Sequence, residues 1–530
     1  MISVRRSLCC VYILGLALLP TALHGINATP HKIRAIYNSL DPRSISQHLA
    51  FYELYPQSNE GRNALSVAWQ LMQLPSRPNN TKITYPFLVE QSALSEVSMG
   101  QTVHAIIALV NNQPDQKASE LNEEALAAIE HAARGLHNRK LKGHYATTEA
   151  EVLSLPSEEI DLAHAIFLSQ QNLDSEALKN KKNYEAAIDL MALQICARLP
   201  NGATPEQMIR TMNDFIFYEL GFRFPPHSLY AKEIDRYTFL SSVIDSRRGI
   251  CLGVSVLYLA LAQRLGLPLE IVTPPGHIYV RYRDGNKVIN IETTARGINV
   301  ESSEYLSIDT FALEERNIKE TVGLVHFNQA ADDLRTESFE KALSAYEKAK
   351  LYNPYDNLID ELMGTCSILC GKVDEGKRLL QKTLISPSKH QIGKNPNCED
   401  YLNGYADANA LKSLFLHTED NHESIQGKQK VLQEIISQQP RFRSGLIGLA
   451  MTWIQLQRFG EALEFLEKYH AIDPSEPKVE YYLAVIYAKR YNFPKAWEHL
   501  KIAEEITRAH GHFPKVLKEF REDLSRNSPE

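Results

Sequence analysis

In the C-terminal third of this chain, one interval keeps returning. Ala342 and Gly376 stand 34 residues apart, as do Ala462 and Ala496, and Lys428 holds the corresponding place before Ala462. The prolines keep the same step: Pro440 and Pro474 are 34 apart, and Pro354 sits relative to Ala342 as Pro474 does to Ala462. A period of this length with a small residue inside and a proline at the end constrains the chain to stacked pairs of antiparallel helices. The small side chain lets two helices approach, and proline, lacking an N–H, closes each pair. A single pair cannot bury its own apolar face, so the pairs must form an array. Five units fit between about 323 and 510, with an irregular insertion near 388–401.

The remaining chain is bounded by composition and by its N-terminus. With 44% hydrophobic and 23% charged residues and a net charge of −7, it is a globular protein without a general nucleic-acid-binding surface. Arg5 and Arg6 precede a nearly unbroken apolar run, Leu8–Leu23, interrupted by Pro20. That is the pattern of a cleaved export signal over residues 1–28, which implies a periplasmic, cell-surface or secreted protein without a retained membrane span. Beyond it remain Cys196, Cys251, Cys366, Cys370 and Cys398, an odd number without a CxxC spacing. A zinc ribbon and a fully paired disulfide scaffold are thereby excluded. Cys366 and Cys370, one helical turn apart, read as small core residues.

Residues 29–150 read as a helical region, with amphipathic spacing over Ala64–Leu74 and Asn122–Gly135. His131, His137 and His144 place at most two imidazoles on one helical face, so they read as surface or core histidines. A domain over 155–310 follows. Thr204, Pro205 and Gln207 form a helix start with a capping box, and Gly221 ends the apolar stripe that runs from Met208 to Leu220. Val256–Leu265 is a second helix, stopped by Gly266.

The residues able to do chemistry lie around that second helix. Cys251 stands where the loop Arg247-Arg248-Gly249-Ile250 becomes helical, and the positive end of a helix favours a thiolate. Arg247 and Arg248 add positive charge nearby in sequence. His277 opens Ile278-Tyr-Val-Arg-Tyr-Arg283, and Asp284-Gly285 then separates this run from Asn286–Glu292, which reads as a hairpin. With Asp284 and Gly285 as the turn, Ile278 faces Ile291, Val280 faces Ile289, and His277 faces Glu292. An acid beside the histidine would fix one tautomer while the other nitrogen meets the thiol. The backbone amides of Cys251 and Leu252, at the helix start, are the candidate oxyanion donors. Neither a cofactor nor a metal is called for. Cys251, His277 and Glu292 are also zinc-ligand types, but they lack a fourth partner.

These residues carry a resemblance. Phe215-Ile-Phe-Tyr-Glu-Leu-Gly-Phe222, Ser246–Ser255, Tyr258–Pro268 and Pro275-Gly-His-Ile-Tyr-Val-Arg281 make the span from Ser157 to Gly297 resemble the SirB-type transglutaminase-like family, within the papain-like fold. Phe339–Tyr346 and Phe459–Phe465 are similar to tetratricopeptide repeats, which often follow that domain. The resemblance implies an α+β transglutaminase-like domain followed by an all-α repeat solenoid, with the N-terminal helical region in addition. It also implies a Cys–His–acid triad of the superfamily, carried by Cys251, His277 and Glu292, where active members commonly have Asp at the acid. The function expected is amide cleavage or acyl transfer through Cys251, with the repeats binding a protein or peptide. The alternative is an inactive scaffold that works through its repeats alone.

Overall fold

A computed structural model describes residues 28–76, 96–116, 121–170, 181–226, 237–385, 389–393, 395–416, 418 and 421–528. The expected export signal falls on residues outside the described set, apart from Ala28. No helix among the described residues is long and apolar enough to cross a membrane.

The centre of the N-terminal half is the helix Cys251–Leu265, buried on nearly every side from Leu252 to Ala262. A helix apolar all round must lie inside the protein rather than on it. Gly266, at φ +72°, ends it as expected. Against it packs a four-stranded antiparallel sheet in the order β3-β2-β1-β4, with β1 Glu270–Val272, β2 Tyr279–Asp284, β3 Lys287–Ile291 and β4 Glu315–Arg316. The helix Lys181–Arg198 also packs against the Cys251–Leu265 helix, and Pro205–Asn213 lies beside β3, where Glu206 pairs with Lys287. The expected capping box is present: Gln207 N–H donates to Thr204 Oγ1 at 3.3 Å, and Thr204 N–H donates to Gln207 Oε1 at 2.9 Å. After Asn213 the helix widens into a π turn, Asp214–Glu219, and it stops at Gly221 with φ +73°.

The hairpin corrects the expected register. Asp284 pairs with Lys287, so Gly285 and Asn286 form the two-residue turn, and Val280 faces Ile291 while Tyr282 faces Ile289. Gly285 takes φ +55° at the first turn position, whereas Asp284 keeps strand geometry. A turn with glycine first is an ordinary hairpin type, so Asp-Gly was misread as the central pair. The true register differs by two residues. Side chains alternate with a period of two, so each keeps its face.

The N-terminal helices share this core: one apolar cluster runs from Ile45 to Tyr352. The junction is also ionic. Buried Asp189 receives Arg139 Nη2 at 2.5 Å from the N-terminal region and Arg264 Nε at 2.6 Å from the central helix. His144 Nδ1 lies 3.1 Å from Asp161 Oδ2, so this histidine serves the same packing rather than a metal.

The repeats form as antiparallel hairpins: Ile318–Arg335 with Phe339–Tyr352, Asn357–Leu369 with Val373–Ile385, Arg443–Gln455 with Phe459–Ile472, and Pro477–Lys489 with Phe493–Ala509. Ala342, Ala462 and Ala496 are fully buried at the crossings. A Cβ on Gly376 would lie 2.6 Å from the Gly364 carbonyl oxygen, so this crossing admits no side chain. A further unit is irregular. Two short helices, Pro396–Leu402 and Ala408–Ser413, stand where its first helix would be, before His422–Gln438. Lys428, on that last helix, is half-buried where the other units bury a small residue. Cys366 is buried in the second hairpin, as expected of a core residue.

The array returns to the domain at its far end. Lys478 Nζ reaches Asp309 at 2.6 Å, His512 Nε2 meets the Ser307 carbonyl at 2.7 Å, and Lys515 Nζ reaches Glu304 at 2.5 Å.

Candidate active site

Cys251 owes its position to a stiff approach. Arg223 N–H donates to the Arg247 carbonyl at 3.1 Å, Gly249 N–H to the Arg223 carbonyl at 3.2 Å, and Ile250 N–H to the Tyr237 carbonyl at 3.0 Å. Arg247 adopts φ +51°, a left-handed conformation held by the bonds of its side chain. Its guanidinium donates to the backbone carbonyls of Leu220 at 3.0 Å and Asn112 at 2.5 Å, and Arg248 pairs with Asp115 at 3.2 Å. Both arginines therefore brace the loop. A Cβ on Gly253 would come within 2.4 Å of the Tyr237 carbonyl, so the first turn packs directly on backbone. No side chain caps this helix start. The first N–H groups of a helix have no partner within it, and those of Cys251 and Leu252 are among them.

His277, just before β2, hydrogen-bonds Glu292 and lies close enough to Cys251 for the thiol to be the largest influence on its pKa. Its Nε2 lies 2.6 Å from Glu292 Oε2. The influence of Cys251 and then that of Glu292 outweigh burial and raise the His277 pKa to about 9. Glu292 is 6% exposed. Burial opposes its charge, but hydrogen bonds from His277, Thr294 and Tyr305 win, and its pKa is lowered.

Glu292 does not face His277 across the ladder. One step beyond the last paired residues Tyr279 takes that place, and His277 is the diagonal neighbour on the same face. Three further residues secure the contact. Tyr305 O–H donates to Glu292 Oε2 at 2.8 Å, and the Thr294 hydroxyl donates to Oε1 at 2.5 Å. The Tyr305 ring also stacks on His277, with centroids 5.7 Å apart and planes 12° from parallel, and on Tyr279 at 4.4 Å. Ser255, one turn along the helix from Cys251, meets Thr293 at 2.9 Å and ties that helix to the Glu292 loop.

Neither Tyr305 nor Ser255 stood out among the sequence-based candidates. Ser255 could have: a hydroxyl four residues after the cysteine, in an otherwise apolar helix, needs a buried partner. Tyr305 gave no local signal, because its contacts are reached through the fold. The other thiols differ from Cys251 in setting. Burial raises Cys196 and Cys366 to about 12 and also pushes up Cys370 and Cys398.

Comparison with known proteins falls on the same region. Residues 182–315 match the family model of the transglutaminase-like superfamily, so the chain contains a transglutaminase-like domain. Human F-box only protein 21 is 29% identical over 109 residues, covering 20% of this chain and 15% of that protein; its mouse counterpart is 28% identical over 109 residues. The chain thus spans about 15% of the length of the curated relatives it matches. Among solved structures, a mutant of MamA is 17% identical over 35% of this chain and 96% of that one, with a TM-score of 0.19. YrrB, described as a TPR protein with an unusual peptide-binding site, is 18% identical over 38% and 92%, with a TM-score of 0.20.

Proposed function

We propose that this chain is an exported thiol enzyme of the SirB-type transglutaminase-like group, acting on an amide carbonyl, with its repeats holding a protein or peptide. One observation carries the reading: His277 lies beside Cys251 and hydrogen-bonds a buried, ionised Glu292 at 2.6 Å. In that arrangement an imidazolium can stabilise a thiolate, and the acid holds the ring in place.

The chemistry follows from these positions. Cys251 Sγ attacks the carbonyl carbon, and the oxyanion formed is met by the Cys251 and Leu252 amides. Collapse breaks the C–N bond as His277 gives its proton to the departing amine, leaving a thioester. His277, now neutral, takes a proton from the acceptor, which attacks the thioester and releases Cys251. Water as acceptor gives hydrolysis, the simpler outcome; an amine gives transfer.

The test is the rate of iodoacetamide alkylation of each cysteine against pH, read by peptide mass, in the wild type and in His277→Ala. The proposal expects Cys251 to react fastest, an advantage that His277→Ala abolishes. Should Cys251 react no faster than Cys196, the thiol is not activated, and a scaffold working through its repeats becomes the better reading.

A further inference from the structure

Far from Cys251 in the chain, the last two repeat hairpins bring together a second constellation. His470 lies in the last turn of Phe459–Ile472, Glu480 in the first turn of Pro477–Lys489, and His499 midway along Phe493–Ala509. Nδ1 of His470 is 2.5 Å from Glu480 Oε1, and Nδ1 of His499 is 2.8 Å from Oε2. One donor atom from each residue lies within 4.8 Å of the others.

The carboxylate is the informative member. Glu480 is 0% exposed, and among the described residues no lysine or arginine pairs with it. A buried carboxylate without a cation is costly unless a charge is supplied. Two imidazoles are its partners here, and imidazole is a ligand as well as a donor. Two other buried acids, Asp189 and Asp400, are answered by guanidinium, the first from Arg139 and Arg264 and the second from Arg443 at 2.8 Å. Glu480 differs from both.

We propose that His470, Glu480 and His499 form a site for a divalent transition metal of the zinc class, linking the three helices of the last two hairpins. The donor set, two imidazole nitrogens and a carboxylate, is one that zinc takes, with water at a fourth position. Metal–ligand bonds of about 2.0–2.2 Å place tetrahedral donors roughly 3.4 Å apart. His470 engages Oε1 and His499 Oε2, and with the donor atoms within 4.8 Å of one another, rotations at χ1 and χ2 suffice to bring them to that spacing. His470 is 33% exposed in its side chain, which gives an ion and its water a way in, while Glu480 and His499 stay covered. Each imidazole binds through Nδ1 and carries its proton on Nε2, so a neutral ring changes tautomer without net proton release. The His499 ring is fixed from behind by Tyr487, parallel to it at 5.5 Å and 6°. Spacings of ten and nineteen residues across three helices leave no local metal motif, and for that reason the sequence points to no such site.

The experiment titrates the chelator-treated mature protein with Co2+, using the Cys251→Ser variant in parallel to separate this site from the catalytic thiol. Visible absorption reports the ligand field and equilibrium dialysis the stoichiometry. The expected result is one Co2+ per chain in both proteins, with no thiolate charge-transfer band, displaced by Zn2+ and weakened at least tenfold by His470→Ala and by Glu480→Gln. His470 is the most exposed of the three, and thermal unfolding without metal checks that its replacement leaves the fold intact. Binding lost in Cys251→Ser, unaffected by His470→Ala, or absent at equimolar Co2+ overturns the proposal.

Discussion

Tyr305 lies parallel to His277 while its hydroxyl donates, at 2.8 Å, to the same Glu292 oxygen that His277 engages. One residue thus fixes the plane of the imidazole and lowers the basicity of its acid. Burial and then Glu292 itself push the Tyr305 pKa up, so the phenol remains a donor wherever the carboxylate is charged. Tyr305→Phe keeps the stack and removes the donor. The Glu292 carboxylate then protonates at higher pH, and the acid-side loss of Cys251 alkylation moves upward by about half a unit to one unit, the worth of a hydrogen bond of about 1 kcal/mol. An unmoved acid limb would mean that the hydroxyl is not part of the site's electrostatics.

The diagonal relation between His277 and Glu292 gives the longer acid a reason. Aspartate on the same backbone retracts the carboxylate by one methylene, too far for the 2.6 Å bond to His277. Glu292→Asp should slow Cys251 alkylation at neutral pH by about 2- to 3-fold, and Glu292→Gln by about tenfold, within the roughly 30-fold that separates a full thiolate from the few per cent present in an unperturbed thiol. Because Glu292 Oε1 also accepts the Thr294 N–H at 3.1 Å, circular dichroism should accompany both variants. If Glu292→Asp reacts like the wild type, the extra methylene has no bearing on the site.

Much of this site was legible because its signals are local. A cysteine at a helix start, a histidine before a strand and an acid after a hairpin can each be read within a few residues. The hairpin was recognised, yet its register was set from Asp284-Gly285 when glycine alone leads the turn. The error did little harm, since a two-residue shift preserves the faces. Arg247 and Arg248 do more than place charge near the thiol: Arg247 reaches the carbonyls of Leu220 and Asn112, and Arg248 reaches Asp115, contacts that proximity in sequence could not show. Tyr305 and the His470–Glu480–His499 cluster were invisible because separate elements assemble them.

Protonation of His277 carries a stability signature. Its pKa is raised from 6.5 to about 9, through Cys251 first and Glu292 second. A group with a raised folded pKa stabilises fully below its unfolded value, and the gain disappears as pH rises through the folded value. Relative to His277→Gln, the wild type should show its largest excess in urea midpoint below about pH 6 and lose that excess between pH 6.5 and 9. A difference that grows towards pH 9 would reverse the sign and reject the charged imidazole.

The repeat crossings predict a different failure. Ala462 is 0% exposed at the closest approach of its hairpin. Ala462→Leu inserts three carbons into a filled crossing and should cost about 1–3 kcal/mol in urea unfolding. Gly427→Ala, where an added Cβ meets nothing within 4 Å, serves as the control and should be neutral or slightly stabilising in its helix. Equal midpoints for the two variants would show that the small residue is not what permits the approach.

Tyr305 connects these two halves of the protein. It closes the short 3-10 turn Ser302–Tyr305, and the stretch around it is held from the far end of the array by Lys515 at Glu304, His512 at Ser307 and Lys478 at Asp309. The solenoid therefore reaches the stacked ring beside His277 through a segment of few residues. The ion pairs are partly exposed and individually weak, while the His512 contact is buried and should contribute about 1 kcal/mol. His512→Ala combined with Lys478→Ala should loosen the Tyr305 segment, slow Cys251 alkylation by about 2- to 10-fold and increase hydrogen exchange over 302–310, with little change in the Cys251 helix. Unchanged alkylation with increased exchange would leave the contact as a mechanical anchor. Both changing together would mean that whatever occupies the repeats can also set the reactivity of the thiol.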